Sequence, residues 1–274
     1  NNNVTFLSWE WRGHIFEVIS KKFKVISLNR FHFGINLTEE LLTIEIDKRA
    51  VMTYFDTIAD KIDWLIVDHY LLDISWANSL KNNTKNILVI DDLANRKHNC
   101  DILLDQNYYP EKNRYKTLVP NSCKVLQGVK YVLLRKEFTQ ARASLRLRSG
   151  IIQRVLIFFG GSDINNETKK AIKGVVDIND FSLNLDVVIG SSNPHQKEIL
   201  ELVKQFPNAE CHIQVSNMAE LISKADLAIG SVGTITNERC YLGLPSVVVT
   251  TNDNQIKGTE IYAELGLVYY LGKH

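Results

Sequence analysis

The run Gly230-Ser231-Val232-Gly233-Thr234-Ile235-Thr236-Asn237-Glu238-Arg239-Cys240-Tyr241-Leu242-Gly243-Leu244-Pro245 decides how this chain folds. An apolar stretch, Ala225-Asp226-Leu227-Ala228-Ile229, stands before it and reads as a buried strand. Small residues then turn the chain into a helix that opens near Gly233 and carries Asn237 and Glu238. A small-residue turn at a helix N-terminus offers backbone N–H groups and the positive end of the helix dipole to a diphosphate. Glu238, one turn into the helix, is placed to accept hydrogen bonds from the two hydroxyls of a ribose. A second turn of this kind ends Val155-Leu156-Ile157-Phe158-Phe159-Gly160-Gly161-Ser162-Asp163. Two phosphate-type turns in one half of the chain point to a nucleotide-sugar ligand.

Outward from these turns, the second half alternates regularly. Strands fall near 154–159, 183–189, 210–214, 226–229 and 246–249, with helices between. Pro194 suits the first turn of the helix that follows Gly190-Ser191-Ser192-Asn193. The first half shows the same rhythm. Val4 to Leu7 and Lys24 to Leu28 read as strands flanking a short helix, His14 to Lys21. A longer helix is expected over Asp47 to Lys61, with Ala50, Val51, Tyr54, Phe55 and Ile58 on its apolar face. Trp64 to Val67 runs into Asp68-His69-Tyr70, and Asn86 to Ile90 into Asp91-Asp92. Such continuous hydrophobicity marks strands covered on both faces, hence parallel sheets, and ligands bind at the carboxyl ends of such strands. The expected fold is α/β: two Rossmann-like parallel-sheet domains, 1–148 and 149–274, with a cleft between them. The basic segment Arg142 to Gly150 reads as a solvated helix end and linker rather than an anion site.

Bulk properties exclude several classes. A net charge of +1 advertises no nucleic-acid or anionic-membrane surface. No apolar run approaches the roughly 18–20 residues that span a bilayer, and no signal peptide is visible. Cys100, Cys123, Cys211 and Cys240 form no Cys-x-x-Cys pair, which suits reduced thiols in a cytoplasmic protein. Asp91-Asp92 lacks a third clustered ligand, so a loop and helix-cap role is expected, with no metal and no cofactor. A monomer is expected. The chain opens Asn1-Asn2-Asn3-Val4 without a methionine, the mark of processing or of a fragment.

Six stretches occur in a telling order: Val67-Asp68-His69-Tyr70, Cys100 to Asn107, Leu133 to Phe138, Phe159 to Asp163, Asn217-Met218-Ala219, and Gly230 to Pro245. The set resembles the UDP-sugar hydrolases of pseudaminic acid biosynthesis and the related spore-coat polysaccharide proteins, which share a GT-B-like fold. The resemblance covers nearly the whole chain. It implies hydrolysis of UDP-2,4-diacetamido-2,4,6-trideoxy-β-L-altrose to UDP and the free sugar, by water attacking the anomeric carbon with inversion. The family's general base is a histidine in a Gly-x-Gly-His turn after its first strand. Gly13-His14-Ile15 imitates that turn, but Trp11-Arg12 stands where its first glycine belongs. Val4 to Leu28 looks more like the family's second βαβ unit. The expectation is therefore a truncated first domain with the base upstream of Asn1, His14 being the alternative.

The resemblance also suggests roles for individual residues. Tyr70 matches an active-site tyrosine that would donate to the leaving phosphate or position water, with Asp68 beside it; a structural Asp–His–Tyr network is the other reading. His69 is expected to point into the fold. Gly160, Gly161, Ser162 and Asp163 would face sugar or diphosphate, or form a mere tight turn. Val232, Gly233 and Thr234 would bind diphosphate, with Asn237 nearby and Glu238 on the ribose; Glu238 paired with Arg239 or a lysine is the alternative. Met218 would pack near the uracil, which backbone groups of 213–217 would read, or simply fill core. Asn254 and Gln255 match an Asn-Gln pair on the sugar side, although Asn254 is equally explicable as a loop or cap residue. Arg135 either neutralises UDP or forms a salt bridge. A glycosyltransferase, a UDP-sugar 2-epimerase or a non-catalytic UDP-sugar binder would share the donor half.

Overall fold

The computed structural model describes residues 3–11, 14–31, 37–178, 180 and 182–274; Asn1, Asn2, Arg12 and Gly13 of the expectations above lie outside them. The chain divides into two compact units, Asn1–Gln106 with Pro110–Tyr131, and Asn107–Tyr109 with Val132–His274.

In chain order the first unit holds β1 (Thr5–Ser8), α1 (Phe16–Ser20), β2 (Lys24–Ser27), α2 (Ile44–Phe55), β3 (Ile62–Asp68), α3 (Ile74–Ser79), β4 (Thr84–Ile90), β5 (Ile102–Asp105) and β6 (Lys124–Gln127). β1 pairs in parallel with β2, and β3-β4-β5-β6 form a separate parallel sheet. α2 begins and ends earlier than its apolar spacing suggests. The Thr43 side chain caps it by accepting from Ile46 N, and Glu45 and Asp47 complement the dipole in its first turn. Asp47, 3% exposed, accepts from the indoles of Trp9 (2.7 Å) and Trp76 (2.8 Å) and so fastens the chain after β1 to α3. Ala50, Val51, Tyr54 and Phe55 pack with Val67, Ile87, Val89 and Leu103 in one core. The expected burial of both sheet faces holds only in part, for Trp64 and Ile66 of β3 are exposed, Ile66 at 63%.

The second unit holds α4 (Lys136–Ala143), β7 (Arg154–Phe158), α5 (Glu167–Asp177), β8 (Asn184–Ile189), α6 (Gln196–Val203), β9 (Ala209–Ile213), α7 (Met218–Lys224), β10 (Leu227–Ser231), α8 (Thr234–Tyr241), β11 (Ser246–Thr250), α9 (Ile256–Glu264) and β12 (Tyr269–Lys273). All six strands are parallel, in the order β12-β11-β10-β7-β8-β9. This is the doubly wound dinucleotide-type order, whose switch point lies between β7 and β10. Alternate residues of β7 feed opposite cores: Val155 and Ile157 meet α5 and α6, whereas Leu156 and Phe158 meet α4 and α7. Burying each such side chain contributes about 1.5–3 kcal/mol, which is why these strands read as unbroken apolar runs.

The segment 132–148, which the sequence reading assigns to the first domain, packs in the second unit. Phe138 of α4 is fully buried beside Leu156, Met218 and Ile222. Arg142 to Gly150 is likewise no mere solvated linker. The Arg148 guanidinium donates to Ile222 O and Ala225 O at the end of α7, and to Leu242 O and Gly243 O at the end of α8, all at 2.8–2.9 Å. One cation thus satisfies the last carbonyls of two helices at the negative ends of their dipoles.

Candidate functional site

At the switch point of the second unit, Phe158 of β7 lies in register with Gly230 of β10. The strands end together, and Gly160-Gly161-Ser162 and Val232-Gly233-Thr234 leave them side by side. Gly230 permits this closeness, because a Cβ there would stand 2.0 Å from Phe158 O. Gly233 turns the chain at φ +136°, a conformation that L side chains rarely adopt. It forms the N-cap of α8, and no side chain caps the helix. Gly233 and Thr234 are exposed. The first-turn N–H groups and the positive dipole end are therefore presented where a diphosphate would sit.

Thr234 and Glu238 share one face of α8, while Thr236, Asn237 and Arg239 are buried on the other. Glu238 is half-buried, with Arg135 Nη2 3.7 Å from its Oε1; the same Arg135 nitrogen lies 2.9 Å from Glu137. Burial pushes the Glu238 carboxyl above the usual range and Arg135 offsets part of the rise. Arg135 thus forms the salt bridge expected as one of its two readings, whereas Glu238 pairs with Arg135 rather than with Arg239 or a lysine. Gln255 ties the second turn to the loop after β11, donating to Val232 O (3.4 Å) and accepting from Thr251 N (3.2 Å). Asn254 is exposed beside it.

Three residues sit differently from the ligand roles that the resemblance suggests. Both carboxylate oxygens of Asp163 are engaged at the start of α5, accepting from Glu167 N and Thr168 N at 2.9 Å each. Asn237 accepts from Tyr262 OH (3.2 Å) inside the fold and lies against Asn107. Met218, 6% exposed, belongs to the core with Leu156 and Ile222.

In the first unit, polar groups gather where β3, β4 and β5 end. Burial pushes the Asp68 carboxyl up, and His69 pulls it back. The largely exposed Tyr70 donates to Asp92; burial, then Asp92 and Asp68, push its phenol up. His69 folds onto its own loop, its Nδ1 accepting from Leu71 N (3.1 Å). Of the loop and helix-cap role expected of Asp91, the loop part holds and no helix is capped. Asp91 pairs with Arg96 (2.7 Å), accepts from Ala94 N (3.0 Å) and lies 3.1 Å from Tyr115 OH. Arg96 also donates to His69 O and Leu72 O, which locks the loop after β3 to the loop after β4. Arg114 holds Asp105 at 2.6 Å. The contacts of His14 are local, to Phe16 N and the Phe16 ring.

Sequence reading overlooks Arg96, Arg114 and Tyr115, because lone polar residues in loops carry no spacing signal. It names Arg239 only as a partner of Glu238, although the helical spacing of Thr236, Arg239 and Cys240 away from the Thr234–Glu238 face is a cue to burial. Among the described residues one group could gather a cation: Asp186, Glu210 and His212 have ligand atoms within 4.8 Å of one another. Asp186 is already engaged by Arg154 (2.7 Å) and His212 (2.9 Å), an ionic row across β7, β8 and β9.

A doubly wound unit with paired turns at its switch point, together with a second parallel-stranded unit, defines a GT-B-like α/β protein. The crystal structure of MurG from Acinetobacter baumannii shares this fold at a TM-score of 0.59 and 13% identity, over 98% of this chain and 78% of that one. More particularly, the chain is 28% identical to the UDP-2,4-diacetamido-2,4,6-trideoxy-β-L-altropyranose hydrolase of Campylobacter jejuni, over 84% of this chain and 83% of that protein. It is 25% identical to the spore coat polysaccharide biosynthesis protein SpsG of Bacillus subtilis, over 77% of this chain and 62% of that protein. The chain is similar to this UDP-sugar hydrolase and to this spore-coat protein, as its motifs suggest. No protein-family model matches it. No helix among the described residues is long and apolar enough to cross a membrane.

Proposed function

We propose that this protein is a cytoplasmic enzyme that hydrolyses a UDP-linked diacetamido-trideoxyhexose to UDP and the free sugar, in the synthesis of a nonulosonic acid of the pseudaminic type. The observation that carries the reading is the similarity to the Campylobacter hydrolase over 84% of the chain, which spans both units. The oxygen of water forms a bond to the anomeric carbon, the bond from that carbon to the phosphate oxygen breaks, UDP leaves with its electron pair, and the proton given up by water passes to solvent. Attack opposite the leaving group inverts the anomeric centre.

The charge that develops on the leaving diphosphate falls to the N–H groups of Val232, Gly233 and Thr234 and to the dipole of α8. Glu238 accepts from the ribose hydroxyls. Gly160, Gly161 and Ser162 flank the diphosphate from the neighbouring strand end, and Asn254 contacts the sugar side. Asp68 and Tyr70, at a strand end of the first unit, are the residues that the family resemblance assigns to water or the leaving phosphate. Because Asp163, Asn237 and Met218 are engaged within the fold, they support the site without touching substrate.

Incubation of the protein with UDP-2,4-diacetamido-2,4,6-trideoxy-β-L-altropyranose in plain buffer tests the reading. UDP and the free sugar should appear with no acceptor alcohol present, and proton NMR should catch the sugar first as the inverted anomer. UDP release that requires an added acceptor would place the protein among the transferases instead.

A further inference from the structure

The guanidinium of Arg239 is 2% exposed and lies beneath the turn that joins β10 to α8. A helical side chain leans toward the N-terminus of its helix, so Arg239, sixth in α8, reaches back to the first turn. Its Nη2 donates to Ser231 O at 2.8 Å and meets Thr236 Oγ1 at 3.4 Å. Its Nη1 lies so near the β10 backbone that a Cβ on Gly230 would stand 3.1 Å from it. Nε is buried without a hydrogen-bond partner. Arg96, Arg114 and Arg154 each meet a carboxylate at hydrogen-bond distance, and half-buried Arg148 meets four carbonyls at helix ends. Arg239 forms no such pair among the described residues.

A buried cation without an anion is costly, since low-dielectric surroundings neither solvate it nor screen it. Burial draws the guanidinium down to about 10, and the charge persists at neutral pH. A carbonyl such as Ser231 O could be satisfied by a neutral donor, so the hydrogen bond alone does not explain a full charge here. That charge has the same sign as the dipole end of α8 and lies beneath the same turn.

We infer that Arg239 is the built-in counter-charge of the diphosphate, a positioning residue that acts through the Ser231–Gly233 turn and makes the site sense phosphate charge. The inference rests on the nucleotide-sugar reading of that turn. It goes beyond that reading by assigning affinity for the phosphates to a residue with no access to the ligand. Weakly screened attraction grows with the charge of the anion, so the effect of Arg239 should rank UDP over UMP over uridine.

Calorimetric titration of the full chain with UDP, UMP and uridine is the test, in the unaltered protein, Arg239→Gln and Arg239→Lys. Glutamine can still donate to Ser231 O but carries no charge; lysine keeps the charge. Arg239→Gln should weaken UDP by about tenfold or more and UMP by less, leaving uridine within about twofold, while Arg239→Lys should recover most of the UDP affinity. Equal losses for all three ligands, or no loss for UDP, would overturn the inference, as would a lysine variant no better than glutamine. Should Arg239→Gln not fold, thermal melts of the unaltered protein decide. Pyrophosphate alone should raise its midpoint, and an unchanged midpoint would overturn the inference. An unaltered protein that binds pyrophosphate but not UDP would defeat the nucleotide reading and leave the anion site standing.

Discussion

At Glu238 the demands of folding and of binding pull apart. The carboxylate is half-buried on α8 and its pKa is raised, chiefly by desolvation and against the pull of Arg135. The folded state therefore holds a proton more tightly than the unfolded chain, whose glutamates titrate near ~4.3. Stability falls as pH rises from there through the folded pKa, and above that point the penalty is complete. Replacing Glu238 by Gln removes the penalty along with the carboxylate. Thermal melts should show Glu238→Gln at least as stable as the parent at pH 7, with the difference vanishing below about pH 4. UDP affinity should move the other way, by about tenfold or more, since a charged acceptor of two ribose hydroxyls contributes about 1.5–3 kcal/mol. A variant that loses stability at pH 7 and binds UDP normally would mark Glu238 as a mere partner of Arg135.

Among the elements, α5 shows most plainly how a residue that resembles a ligand can serve the fold instead. Asn166, at its N-cap, lies in the left-handed region and makes no side-chain cap; Asp163 does that work from the preceding turn. Asparagine at 163 would set an NH2 donor against one of the two N–H groups that the two carboxylate oxygens now accept. Chemical denaturation should find Asp163→Asn destabilised by about 1–2 kcal/mol, the usual scale for a lost cap, with UDP affinity within about twofold. A large loss of UDP affinity at intact stability would return Asp163 to the ligand. The case illustrates where sequence reading succeeds and stops. Strands β7 to β11 were legible within a residue or two, because burial on both faces writes an unbroken apolar run. β5, β6 and β12 were not: β6 and β12 bury none of their residues, and the apolar run of β5 is only Ile102 to Leu104. The glycine turns and Glu238 were legible from their place between strand and helix. Partners such as Asp47 with Trp9 and Trp76, or Arg148 with the ends of α7 and α8, join residues far apart in sequence and leave no local pattern.

On the scale of the whole molecule, the two units are built to different degrees of closure. The second has a central strand, β7, between β8 and β10, with helices packed on both faces. Among the described residues of the first, no strand joins β1 to β3, and Phe6, Trp64 and Ile66 stand exposed. The two glycine turns and Glu238, proposed to hold the nucleotide, belong to the second unit, as does Arg239 beneath one of them. The sheet of that unit needs no residue outside 132–274, and the fragment leaves out 107–109, of which Asn107 meets Asn237, Tyr108 packs beside Val232, Val248 and Tyr262, and Tyr109 lies near Lys257 and Gly258. The fragment 132–274 should therefore fold cooperatively by circular dichroism and bind UDP within about tenfold of the whole chain, because contacts inside one cooperative unit carry most of its stability. It should release no UDP from the sugar nucleotide, since Asp68 and Tyr70 are absent from it. The fragment 1–131, by contrast, should bind a hydrophobic dye through its exposed apolar strand face. A fragment 132–274 that folds yet fails to bind UDP would mean that the first unit supplies part of the nucleotide's grip, and the roles given to Glu238 and the turns would have to be divided with it.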